Sequence, residues 1–83
     1  MTTRDERTRH ILQAGAFLKE LRADTKLPKA IRREAIRLLR HYPTVMDLRL
    51  LAEIEKSVLG CGLLTPEFDP SWITAYKFGA HFD

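Results

Sequence analysis

The sixteen residues Pro28-Lys29-Ala30-Ile31-Arg32-Arg33-Glu34-Ala35-Ile36-Arg37-Leu38-Leu39-Arg40-His41-Tyr42-Pro43 decide how the chain is read. A proline suits the opening turn of a helix, where its missing N–H costs nothing. A second proline ends it, because the residue before proline is pushed out of the α region. Between them Ile31, Ala35, Leu38, Leu39 and Tyr42 fall on one side. Lys29, Arg33, Arg37 and Arg40 fall on the other, within about 80° of arc. The segment predicts an amphipathic helix over residues 28–41, with the apolar Ile36 set in the middle of its basic side.

Two more helices flank it. Upstream, Thr3 and Glu6 have the spacing of a capping box, and Ile11, Ala14, Leu18 and Leu21 recur on one helical face, widened by Phe17. This predicts a helix over residues 4–23, with Gly15 inside it at a cost of about 1 kcal/mol relative to Ala. A closely approaching helix is the expected reason for that glycine. Asp24-Thr25-Lys26-Leu27 forms the connection. Downstream, Thr44 is a natural cap with Asp47 placed to complement it, and Gly60 supplies a left-handed end, giving a helix over residues 45–59. Its polar strip is narrow (Arg49, Glu53, Lys56 and Ser57), so the third helix is expected to be the central, most buried element.

Beyond Gly62 the chain becomes aromatic: Phe68, Trp72, Tyr76, Phe78 and Phe82 are five of its seven aromatic residues. Asp69-Pro70 reads as a cap and first turn, so a short helix over residues 70–78 is expected, ending near Gly79. No alternating strand pattern or hairpin signal is present. The fold class is all-α, a compact bundle of three helices in residues 1–62 with an aromatic tail, residues 63–83, docking on it. Docking of Phe68, Trp72, Ile73 and Tyr76 on the third helix is the simplest use of the tail; an exposed binding patch at Trp72, Tyr76 and Phe78 is the other.

The spaced pattern Glu6-Arg7-Thr8-Arg9, Phe17-Leu18, Leu27-Pro28, Ile31-Arg32-Arg33, Ala35 and Leu38-Leu39-Arg40-His41-Tyr42-Pro43 resembles a group of small proteobacterial proteins without an established function. The likeness spans roughly residues 5–48. It implies a compact helical fold and a bacterial source, and no activity.

Eighty-three residues fit one domain, and 45% hydrophobic with 30% charged residues is ordinary for a globular chain. The charged start and the charges scattered through the most apolar window, residues 45–64, argue against a signal peptide or a membrane span. A lone cysteine, Cys61, suits a reducing compartment, so a cytoplasmic protein is expected. Residues 1–42 hold eleven Lys and Arg against five Asp and Glu, while residues 43–83 hold three against six. The basic half therefore attracts a polyanion, an acidic protein surface or the chain's own second half.

The catalytic inventory is thin. There is no glycine-rich phosphate loop, no paired cysteines and no recognisable nucleophile set. His10, His41, His81 and Cys61 share no metal-ligand spacing, and His41 suits the end of the second helix better than a metal. Neither an enzyme nor a cofactor or metal site is expected. The second and third helices superficially resemble a helix-turn-helix, but the third is too apolar and acidic to read base edges.

What remains is a small regulatory, adaptor or inhibitor-like interaction module that acts by occupying a partner's surface. Host and phage versions would look alike, and a homodimer is compatible with it. The expected contact residues are Lys29, Arg32, Arg33, Ile36, Arg37 and Arg40, with Trp72, Tyr76 and Phe78 as a secondary patch. An unidentified protein partner is favoured. The alternative is a non-specific nucleic-acid-binding protein contacting phosphates through Lys29, Arg33, Arg37 and Arg40. A solvated helix face locally neutralised by Glu34 is the plainest account of the same residues.

Overall fold

A computed structural model of the chain describes residues 3–60 and 62–81. Four helices follow in order: α1 (Arg4–Ala23), α2 (Lys29–Leu39), α3 (Val45–Leu59) and the single turn α4 (Ser71–Thr74). No strand occurs among the described residues, and no helix there is long and apolar enough to cross a membrane. Cys61, the lone cysteine, and Phe82, read above as part of the aromatic tail, lie outside the described residues.

The helix ends are set by local chemistry. Thr3 Oγ1 accepts the Glu6 N–H at 3.1 Å and its hydroxyl donates to the Glu6 carboxylate, starting α1. Thr44 and Asp47 complete a capping box at α3, each side chain accepting the other's backbone N–H at 3.0 Å. Gly60 closes α3 in the left-handed region at φ 74°, which a residue with a Cβ occupies only with strain.

α1 is the spine. At 1.5 Å per residue its twenty residues run about 30 Å. α2 returns along its C-terminal half, so that Tyr42, just past α2, donates a hydrogen bond to the carbonyl of Ile11 and rests its ring against Gly15. The chain continues as α3, whose Leu48 and Ala52 meet Leu12 and Leu64 in the core; Ile11, Val45, Phe68, Trp72 and Ile73 pack around this cluster. The molecule is elongated, 45 × 24 × 24 Å. Its radius of gyration is 14.0 Å, against about 12 Å for a sphere-like domain of this length.

Two expectations about burial are corrected here. The face α1 buries is Thr8, Leu12, Gly15 and Ala16 rather than the Ile11, Ala14, Leu18 and Leu21 stripe, of which Ala14 is exposed. The reason is polar. Thr8 is fully buried because its hydroxyl donates to Arg4 O at 2.9 Å and accepts Thr65 N–H at 3.0 Å, pinning the return segment to α1. Nor is α3 the most buried helix. Only Leu48 and Ala52 are buried in it, while Met46, Leu50, Leu51, Ile54, Val58 and Leu59 are exposed. α3 has apolar residues on two sides, and the fold covers one.

The tail explains why the other side stays open. After α3 the chain reverses, and the Glu55 carboxylate accepts the N–H groups of Leu63 and Leu64 at 3.1 and 3.3 Å. Arg7 Nε donates to Leu63 O at 2.9 Å from the other side. The tail then packs Phe68, Trp72 and Ile73 on the core cluster that α3 shares with α1, with Arg49 of α3 over the Phe68 ring, before climbing α1. Phe78 meets Phe17 edge-on at 5.1 Å, and His81 buries its ring beside Gly15, with Nε2 2.8 Å from Pro43 O and Tyr42 edge-on at 5.4 Å. The helix expected over residues 70–78 is one turn: Ala75 leaves the α region (φ −100°, ψ 1°) so that Tyr76 and Phe78 face α1.

Gly15 is the tightest point of the fold. A Cβ there would lie 2.7 Å from the Tyr42 ring and 2.8 Å from the His81 ring. Gly15→Ala would normally gain about 1 kcal/mol of helix propensity. Here it is expected to lower stability by about 1–2 kcal/mol through overpacking, read as a lower melting temperature; a raised one would show the rings free to withdraw. Trp72→Ala removes a side chain packed on the core cluster, and a loss of about 3 kcal/mol is expected by chemical denaturation.

Tyr42 adds a pH dependence. Burial pushes its phenol above the ordinary value, a backbone contact with Gly15 opposing this in part. The neutral form is the one that folding favours. Its stabilisation is complete below the ordinary phenol value of about 10 and disappears as pH rises through the higher folded value. Melts at increasing alkaline pH should fall over that window, and Tyr42→Phe should flatten the fall.

Candidate functional site

The six contact residues expected on α2 share one region but differ in state. Lys29, Arg33, Ile36, Arg37 and Arg40 are exposed, and Arg32 is half-buried. Lys29, Arg32, Arg33 and Ile36 line a shallow concavity of about 250 Å³. Ile36 is the apolar part of its wall and keeps 45% of its surface in solvent. The Nε of Arg32 is buried without a hydrogen-bond partner. An orphaned donor on a cation is unusual, since buried polar groups are nearly always paired.

Arg37 is partly spoken for. Its Nε donates to the Glu34 carboxylate at 2.9 Å one helical turn away, forming an exposed ion pair. That bond holds the Glu34 carboxyl below its usual range and raises the Arg37 guanidinium. The local neutralisation weighed from the sequence is therefore present at Arg37, and Lys29, Arg33 and Arg40 stay clear of it. Ile31 and Leu38, expected on the buried side of α2, are exposed as well, because Ala35 alone sits squarely on α1.

The secondary patch divides. Trp72 is half-buried on the core cluster, with Phe68 tilted against it at 6.5 Å. Tyr76 is half-buried and meets Phe78 edge-on at 5.6 Å. Phe78 keeps an exposed edge, with Lys77 Nζ 5.0 Å from its ring centroid. Arg9, Gln13, Asp69, Trp72, Tyr76 and Lys77 are among the residues bordering an open depression of about 580 Å³ between α1 and the tail. Asp69 is the acid there, but its carboxylate accepts Ser71 N–H at 2.9 Å, which holds its pKa low and commits it to starting α4.

Among the described residues these two regions offer cations, aliphatic and aromatic surface, and the unpaired Arg32 Nε. His10 is exposed on α1, His41 is exposed in the turn after α2, and His81 is buried at the Gly15 seam. Among the described residues no three of His, Cys, Asp and Glu gather as a metal ion requires.

One uncovered apolar surface does not follow from the burial expected of the third helix. It is the outer side of α3, where Met46, Leu50, Leu51, Ile54 and Val58 stand in solvent. The signal was present in the narrow polar strip of α3, but it was read as burial. No protein-family model, curated protein or solved structure matches the chain.

Proposed function

We propose that the protein is a small regulatory, adaptor or inhibitor-like interaction module, working in the cytoplasm by occupying a partner's surface through the basic side of α2. The observation that carries this reading is Ile36. It is a branched aliphatic, 45% exposed, in a concavity walled by Lys29, Arg32 and Arg33. Arginine is among the residues enriched at interface hot spots, and an apolar contact beside it helps exclude water. The cations around Ile36 add a direction: Lys29, Arg32 and Arg33 line the same concavity, and charge-assisted hydrogen bonds from them suit a carboxylate of an acidic partner segment.

Non-specific binding to nucleic acid is the second reading, and Lys29, Arg33 and Arg40 support it by standing exposed on one helix. Two features weigh against it. Glu34 holds Arg37 and sets an exposed carboxylate where phosphates would come, and Ile36 has no part in contacts to a phosphate backbone.

Ile36→Asp tests the choice. Since the site is surface, thermal stability should hold to about 0.5 kcal/mol, while affinity for the protein partner captured from cell extract falls by about 2 kcal/mol or more. Capture should survive nuclease. Partners that vanish on nuclease treatment, with log K falling steeply against log salt concentration, would replace this reading by the second. A folded variant with undiminished binding would remove α2 as the contact.

A further inference from the structure

Two depressions run together between α1 and the tail. The larger, of about 580 Å³, is bordered by Arg9, Gln13, Trp72, Tyr76 and Lys77 among others. The smaller, of about 260 Å³, is bordered by Asp5, Glu6 and Asp69, and the two share Arg9, Asp69 and Trp72. Asp5, Arg9 and Gln13 follow one another at i, i+4 spacing and form one ridge of α1, while the tail supplies the two aromatic rings. Arg9 and Gln13 are half-buried, and neither side chain has a hydrogen bond or ion pair among the described residues. For Arg9 this is unexpected, because three carboxylates border the same hollow. Two of them are engaged otherwise: Glu6 accepts the Thr3 hydroxyl, and Asp69 accepts the Ser71 N–H.

We infer that this trough is a small-molecule site for a monocarboxylate carried on a flat ring, with Arg9 and Gln13 holding the carboxylate and Trp72 and Tyr76 receiving the ring. A guanidinium presents its donors in a planar fork, the geometry that a carboxylate meets with two parallel hydrogen bonds. The Gln13 carboxamide adds N–H donors one turn further along α1. Aromatic faces favour a flat apolar body beside that anchor. A hollow of about 580 Å³ has the size that small ligands use, about 300–1,000 Å³, with a few convergent polar groups set in an aromatic lining.

Charge narrows the class. Arg9 and Lys77 against Asp69 leave the larger depression with one net positive charge, whereas Asp5, Glu6 and Asp69 against Arg9 leave the smaller with two net negative ones. One carboxylate matches the first. A phosphate monoester or a nucleic-acid strand would bring further negative charge toward Asp5 and Glu6, and such repulsion is how a site rejects the wrong ligand. The trough shares no lining residue with the concavity on α2, so the two surfaces stand or fall separately.

Trp72 is the single tryptophan of the chain, so its fluorescence reports from the trough itself. Titration of the full chain with phenylacetate over about 0.1–10 mM, the range expected for a ligand of so few atoms, should give a saturable change. The melting temperature should rise with the ligand concentration. Acetate, which lacks the ring, benzyl alcohol, which lacks the carboxylate, and phenyl phosphate, which carries the extra charge, should each bind at least about tenfold more weakly. Arg9→Gln should weaken phenylacetate about tenfold or more, with the helical circular dichroism retained. Gln13→Leu should act in the same direction and serves if Arg9→Gln does not fold. Ile36→Asp should leave the titration unchanged, which separates the trough from the α2 reading. No saturable change overturns the site. Binding indifferent to both α1 substitutions overturns it equally, and phenyl phosphate or benzyl alcohol matching phenylacetate overturns the ligand class.

Discussion

Two aromatic rings rest on bare helical backbone at Gly15, with no space for a methyl group between them. That contact fixes how α2 returns along α1, because Tyr42 reaches the Ile11 carbonyl only from there. It also fixes where the chain's last described residue lies, since His81 fills the other half of the same slot and bonds to Pro43. Everything between Pro43 and His81 must therefore leave this point and come back to it. α3 is the outward limb of that loop, and the aromatic tail is the return.

The return limb is held by polar contacts more than by apolar area. Thr8 and Arg7 on α1 bond to Thr65 and Leu63, and Glu55 on α3 bonds to the amides of Leu63 and Leu64. Few large apolar side chains are left for the interior: among the described residues Leu12, Leu48 and Leu64 are buried, with alanines between them and the His81 ring at the Gly15 seam. A chain of this size has a marginal core in any case. Half-buried Phe68, Trp72 and Ile73 make up part of the deficit, and the outer side of α3 shows that apolar residues were available and went elsewhere.

Helix ends were legible in the sequence because they are decided within four residues. Thr3 with Glu6, Thr44 with Asp47, and Gly60 act locally, and each stands where its chemistry indicates, whereas α2 ends at Leu39, short of the residue that Pro43 constrains. Burial was not legible to the same degree. Periodicity identifies an apolar stripe but not which neighbour covers it, so α3 with two stripes was read as central. A threonine in the core and a glycine that admits side-chain rings broke the pattern on α1. At the basic face, the exposure of Ile36 and the Glu34–Arg37 pair follow from positions on one helix. The concavity beside them and the orphaned Arg32 Nε depend on how α2 settles on the rest of the chain, which no single helix encodes.

The return of the tail to α1 has a kinetic side. Helical proteins generally fold fast because their contacts are local. Here the bonds that hold the molecule together join residues 31, 38, 56 and 57 positions apart. Each needs a long loop closed before it stabilises anything, and closure entropy grows with loop length. The three main helices can form and flicker early, yet the slot at Gly15 is completed only when His81 arrives. Folding of this small helical protein should accordingly be slower than its helix content suggests, and its opening should be shared by α1 and the tail rather than confined to either.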